Sequence, residues 1–394
     1  MPPELGYCTN VHAGPDLEST KANLQDHALR VKELFSPGSP MGIGLWLAAP
    51  AAATLQNGTA LEEFSDWLGE HGLHPFTLNG FPFGNFHQEV VKHDVYHPTW
   101  MDEKRLTYTR HLVHALDHLL PPGSEGSIST LPIAWGSPKL SLEMLDHAAD
   151  NLVAVARQLA ELEDNSGRLI YLCLEPEPGC VLQRSSDILR FFQDHLLMRG
   201  EEHQVLRYLR VCHDVCHSAV MFESQADVLR SFSEAGIRVG KVQVSSAVEA
   251  RFEELSPENR VVALDQLVGF AEHRYLHQTS TRQGDGTTTF YQDLSEALDQ
   301  VEDASGLEET WCIHFHVPVY LEQFGHLHTS QHQIKECLET VLEDPEMTHF
   351  EVETYAWSVL PESLQVGQLS DGIANEMTWF AELLAETGSG DLRD

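Results

Sequence analysis

Segments that read as strands alternate with segments that read as helices along nearly the whole chain, and one small polar signature recurs where several of the strands end. In LCLEPEPGC, Cys173 lies two residues before Glu175; in VCHDVCH, Cys212 lies two before Asp214. WCIHFHVP sets Cys312 ahead of His314 and His316, and GYCTNVHAG sets Cys8 ahead of Asn10 and His12. At the strand period of two, such residues share a face, so a small apolar side chain lies beneath a metal-capable or hydrogen-bonding one each time. Tyr171, Cys173, Glu175 and Glu177 form one such face. Four faces of this kind converge most simply on a single interior, a barrel with a polar mouth.

Taken in order, Gly6 to Gly14 is a strand, followed by a helix with Asp16 as its N-cap. MGIGLWLAA and TALEEFSDWLGEHG make a second unit that stops at Gly72, and HPFTLNGFPFG opens a third. A long loop then runs from Asn85 to Lys104, with three histidines, Tyr96 and Trp100, and loops of that length in compact domains tend to carry function. SISTLPIAWG, Arg168 to Gly179, RYLRVCHDVCHSAV and RVGKVQVSSAV begin the fourth to seventh units. Tyr275 to Ala304 breaks the rhythm, and TSTRQGDGTTTFY within it reads as an inserted hairpin or flap. WCIHFHVPVY and HFEVETYAWSVLP then supply two more strands, and Ser370 to Glu386 a closing amphipathic helix.

Such alternation predicts parallel strands joined by right-handed crossovers, and about eight units close into a (β/α)8 TIM barrel. Nine strands are present, one too many; the first strand, WCIHFHVPVY, or part of Tyr275 to Ala304 is the surplus. A doubly wound open sheet is the alternative, but no GxGxxG turn follows the first strand. The expectation is an α/β chain forming one TIM-barrel domain over 1–386, with an insertion at about 275–304 and a disordered tail at 387–394.

In a parallel barrel the C-terminal ends of all strands open on one face, so residues distant in sequence meet there. Glu175, Asp214, Gln243, His314, His316 and Glu353 each fall late in a strand and together suit a divalent ion such as Mn²⁺, Zn²⁺, Co²⁺ or Mg²⁺. Without a cation, carboxylates so close repel, and at least one pKa rises. Glu175, Glu353 and His217, three residues after Asp214, are candidate acids and bases. Asn10, His12, His87, Tyr96 and Trp100 are candidate substrate contacts. Glu351 competes with Glu353 on one face; Lys241, on the face of Gln243, reads as the partner of an inner carboxylate or as a Schiff-base amine. The bland readings are a solvated strand end for Glu175 with Glu177, a helix cap for Asp214, and a satisfied core network for the histidine pair.

The 60 acidic residues against 24 basic ones give a formal charge of −36, a field that repels phosphate backbones and anionic lipid. The partner expected is a small-molecule metabolite, with no nucleic acid and no membrane insertion. Seven cysteines without a CxxC pair suit a reducing cytoplasm, and the N-terminus carries no signal-peptide pattern.

The order of candidate ligands, Glu175, then Asp214 with His217, an amide at 243 and Glu353, resembles the xylose-isomerase-like TIM-barrel superfamily of sugar epimerases and an apurinic endonuclease. Through GYCTNVHAG, LNGFPFGNFH, VYHPTW, LCLEPEPGC, HDVCHSAV, KVQVSSA, HFHVPVY and EVETYAW the chain also resembles the EboE group of metabolite-traffic proteins. The superfamily resemblance implies a metal held by Glu175, Asp214, residue 243 and Glu353, with the two glutamates exchanging a proton beside a carbonyl. Gln243 departs from the histidine usual in the epimerases, and the HFH pair is similar to the DxH of the endonuclease branch. Three functions follow: a metal-dependent isomerase or epimerase of a sugar-like or polyol metabolite, a non-catalytic metabolite binder of the EboE kind, and a metal-dependent phosphodiesterase, which the acidic charge opposes.

Overall fold

The computed structural model describes residues 3–354, 357–361, 364, 365 and 367–388. Strands β1 (Glu4–Tyr7), β2 (Met41–Trp46), β3 (Leu73–Asn79), β4 (Gly126–Thr130), β5 (Ile170–Leu174), β6 (Leu209–Asp214) and β7 (Val239–Val244) come first along the chain. An excursion then contributes β8 (Val248–Arg251), β9 (Thr279–Arg282), β10 (Thr288–Tyr291), β11 (Thr310–Ile313), β12 (Gln323–Phe324) and β13 (Leu327–Thr329) before the last strand, β14 (His349–Val352). The first seven strands and β14 form an eight-stranded parallel sheet, ordered β1-β14-β7-β6-β5-β4-β3-β2. A parallel bridge between Cys8 and Gly44 joins its two edges, and the sheet closes as a (β/α)8 TIM barrel. Helices follow the strands around the outside, from Leu17 onward to the closing helix Leu369–Gly388.

The strands are apolar on the helix side, and β4, β5 and β6 are buried along their whole length, as parallel strands covered on both faces must be. Their inner face is polar and layered. At the bottom, the Ser127 hydroxyl and His349 Nδ1 are hydrogen-bonded at 2.9 Å, and Tyr171 reaches the same nitrogen at 3.3 Å. Above them Lys241 pairs with Glu351 at 2.7 Å, both side chains wholly buried. Burial works against the lysine charge, but Glu351 beside it prevails and raises its pKa above the usual value. Gly44 makes this layer possible: a Cβ there would fall 1.4 Å from Glu351 Oε1. The Lys241–Glu351 pair takes the place of the Schiff-base reading and leaves Glu353 as the glutamate at the mouth.

The surplus strand is β11, which carries the start of WCIHFHVPVY. It pairs antiparallel with β8 and β9, in a second sheet ordered β10-β9-β11-β8-β13-β12. A short apolar strand buried on both faces has the same pattern in either sheet, and only its neighbours distinguish them. The expected insertion at about 275–304 is correspondingly too short, because the second sheet spans Val248 to Thr329. The predicted hairpin is β9 with β10, paired antiparallel from Thr279↔Tyr291 to Arg282↔Thr288. At the other end, the closing helix continues through residues 387 and 388, assigned above to the tail; the rest of that tail lies outside the described residues. No helix of the described residues is long and apolar enough to cross a membrane, and all seven cysteines are free and buried.

Candidate metal centre and pocket

Glu175 follows the end of β5, Asp214 ends β6, Gln243 lies in β7 and Glu353 follows β14, so four adjacent strands deliver four groups to one mouth. The register places Gln243 beside Asp214 on one side and Glu351 on the other. Glu175, Asp214 and Glu353 each offer an oxygen within 4.8 Å of the others. A second group, Asp214, His217 and His316, meets the same limit and shares Asp214 with the first, and a third, Cys216, His314 and His316, shares His316 with the second.

Hydrogen bonds fix one atom of most of these side chains and leave the other inward. Asp214 caps the helix Val215–Val220: its Oδ1 accepts from the His217 N–H at 2.9 Å and from the Ser245 hydroxyl at 2.8 Å. The cap uses Oδ1 and leaves Oδ2 without a hydrogen-bond partner among the described residues. His217 Nδ1 donates to the Pro176 carbonyl at 2.8 Å, which turns Nε2 to the cavity. His316 Nδ1 donates to the Glu353 carbonyl at 3.0 Å, and His314 Nδ1 to Gln278 Oε1 at 2.8 Å. Glu353 Oε1 accepts from Asn10 at 2.5 Å and Asn79 at 3.3 Å.

The residues fit a divalent ion. Glu175 Oε2, Asp214 Oδ2 and both amide atoms of Gln243 are buried without a hydrogen-bond partner among the described residues, a costly state that a cation relieves. Burial, with like charge from Glu353 and Asp214, pushes Glu175 well above the usual carboxylate range. Burial, with Asp214 and Glu351, brings Glu353 up to about 8. For Asp214 burial acts upward too, but His217, His316 and the two hydrogen bonds outweigh it and hold the carboxyl low. Burial depresses both strand-end imidazoles, His316 to about 4 and His314 well below the usual value, so both are neutral near pH 7, the form that binds metal.

Above the centre is a cavity of about 80 Å³, lined by Glu175, His217, His314, His316, Glu353, Asn10 and Tyr96 among others. Three of the expected substrate contacts, His12, His87 and Trp100, are not among its lining residues. His12 bonds Tyr7 at 3.0 Å, stacks on His27 at 4.6 Å and lines a separate cavity of about 10 Å³. His87 lies behind the wall, donating to the Asn10 carbonyl at 2.6 Å. Trp100 is fully buried in the apolar core. In each case an aromatic near a functional stretch turned toward packing or support.

Other residues of the site were passed over. Glu177, on the Glu175 face but not among the expected site residues, lines the cavity; its Oε1 accepts from the Tyr96 hydroxyl at 2.6 Å and Gln278 at 2.9 Å. Burial raises its pKa, with His217, Tyr96 and Gln278 pulling against the rise. Asn79, the last residue of β3, shows by that position the same signal that marked Asp214. Gln278 and Leu276 come from a stretch of the excursion just before β9 that carried no such signal.

No protein-family model matches the chain. No curated protein matches it. Among solved structures, similar ones include a D-tagatose 3-epimerase-like protein (11% identity, 98% of each chain covered, TM-score 0.49). A xylose isomerase-like TIM barrel protein from Mycobacterium smegmatis in complex with magnesium shares 12% identity over 98% of this chain and 97% of its own, with TM-score 0.48. The IolI protein with a bound zinc atom shares 12% over 98% and 99%, with TM-score 0.46. Likenesses of this strength transfer no chemistry to this chain.

Proposed function

We propose that the protein is a metal-dependent isomerase or epimerase that moves a proton beside the carbonyl of a small sugar-like or polyol metabolite. One observation carries this reading: three buried carboxylates, two with raised pKa, converge with orphaned polar atoms at the mouth of a closed barrel. Glu175, Asp214, Gln243 and Glu353 would hold the ion, with His217, His314 and His316 beside them. When bound, the ion supplies Lewis-acid polarisation of a substrate carbonyl. Glu175 and Glu353 come from strands on either side of β6 and β7, which suits one carboxylate for removing the proton and the other for returning it. Asn10 and Asn79 orient Glu353, and His217 Nε2 is available to hold a substrate hydroxyl or take its proton.

The test is the metal content of protein purified without added metal, wild type against a Glu175→Ala, Asp214→Ala double variant. About one ion per chain, lost in the variant, is the expected result. Absence of binding in the wild type even after Mn²⁺ or Zn²⁺ is supplied removes the reading. Turnover undiminished in Glu175→Gln removes the acid/base role.

A second reading, that the protein binds and hands over a metabolite without converting it, is favoured by Gln243, whose neutral amide weakens the ion's hold relative to an imidazole. Membership of the EboE metabolite-traffic group belongs with this reading and rests on the sequence motifs. A carrier exchanges no solvent deuterium into a bound ligand, whereas an epimerase does.

A further inference from the structure

The cavity has a polar floor and an apolar roof, and the two suit different halves of a ligand. Phe81, Pro82, Phe86, Val91 and Val95, from the loop after β3, and Leu276, from the excursion, form most of the roof. They are set rigidly: the Phe86 ring meets Trp46 edge-on at 5.0 Å and Phe81 meets Tyr96 at 6.1 Å. Most polar groups in the walls are engaged with one another, Asn10 Oδ1 being an exception among the described residues. The Tyr96 hydroxyl and Gln278 amide serve Glu177, while Asn10 and Asn79 serve Glu353. Lys92 is the only lysine or arginine in the lining among the described residues, and it is paired with Asp293. Glu175, Glu177 and Glu353 line the same cavity, so a phosphate or carboxylate carried on the ligand away from the ion finds no unpaired lysine or arginine in the described lining to balance it. The volume of about 80 Å³ holds on the order of five waters at ~15 Å³ each, which limits what reaches the floor to a short molecule.

We infer that the ligand is a neutral 2-hydroxycarbonyl compound whose remainder is alkyl, of the acyloin or deoxy-ketose type, rather than a fully hydroxylated sugar or a phosphate ester. Its vicinal oxygens face the carboxylates and imidazoles and its alkyl part faces the roof, where a hydroxyl would exchange water for carbon. The head group rests on the proton-transfer reading above; the alkyl part rests on the roof alone. In the reaction, the bond from the carbinol carbon to hydrogen breaks, its electron pair forms the carbon–carbon double bond and the carbonyl pair moves onto oxygen, giving an enediolate. The proton waits on a carboxylate and returns to the same carbon, or to the other one while the hydroxyl proton passes to the first oxygen by way of His217. Nothing is oxidised overall and no co-reactant is needed.

The experiment compares pairs matched in heavy atoms, acetoin with dihydroxyacetone and 4-hydroxy-3-hexanone with erythrulose, and adds dihydroxyacetone phosphate as the anion. Affinity is read by ligand-observed NMR on the full chain supplied with Zn²⁺, and solvent deuterium incorporation is followed on the same samples. Each acyloin is expected to bind about tenfold to a hundredfold more tightly than its hydroxylated partner, with no binding by the phosphate. Leu276→Asn narrows that gap, and Val95→Thr provides the same comparison if the first variant does not fold. Equal or tighter binding by the hydroxylated partner or the phosphate overturns the inference, as does binding by none of them. Preference for acyloins without deuterium exchange upholds it and removes the proton-transfer reading instead. Faster exchange into erythrulose than into the acyloins does the reverse.

Discussion

Glu376, a buried carboxylate away from the cavity, ties together the two segments that carry His316 and Glu353. Its Oε1 accepts from the Val319 N–H at 3.0 Å and its Oε2 from the Thr354 hydroxyl at 2.9 Å. Burial, against those two bonds, lifts its pKa to about 8, whereas the unfolded chain restores an ordinary carboxylate near 4.5. The folded form thus holds a proton that the unfolded form releases, so this group's contribution is complete below pH ~4.5 and is lost as pH rises through about 8. Within that window each pH unit costs up to about 1.4 kcal/mol. Thermal unfolding of Glu376→Gln from pH 5 to 8 should therefore decline less than the wild type; parallel curves would refute the account. Lys241→Met, which strands Glu351 in the barrel, should cost about 3–5 kcal/mol in chemical denaturation. Adding Glu351→Leu should recover much of that loss, and an equal deficit in single and double variants would dismiss the pair. Residue by residue, the acids were legible because strand ends and period two mark them directly. Glu376 was not, since a glutamate in a helix looks solvated until two distant segments are found against it.

At the scale of elements, the loop after β3 is latched to the excursion. The Val91 and Lys92 N–H groups both donate to the Arg274 carbonyl, at 2.8 and 3.0 Å, and the Lys92–Asp293 ion pair closes the same joint. Lys92→Ala should speed hydrogen exchange of the amides at 85–96 while leaving the barrel strands unchanged. Unchanged exchange at 85–96 would mean that the backbone pair alone holds the cover. Eight barrel strands and their helices were readable from alternation and from caps such as Asp16, whose side chain accepts from the Ser19 N–H at 2.9 Å. The destination of β11 was not readable. His314 and His316 looked like barrel-strand ligands from their spacing, but they follow a strand of the second sheet and reach the mouth from above it. Pairing partners are set by tertiary contacts, which the local pattern of a short buried strand does not encode.

At the scale of the whole molecule, the formal charge of −36 acts on every approaching solute. An abasic DNA duplex should fail to bind even at low salt; binding that weakens steeply with added salt would instead reinstate the phosphodiesterase reading. The ring itself has one further consequence. Asn10 lies at its opening strand and Glu353 at its closing one, 343 positions apart, and the two side chains meet only when the barrel has joined end to end. A chain whose last strand is still inside the ribosome lacks the Asn10–Glu353 contact, so this corner of the mouth is assembled only after nearly all of the protein has been made.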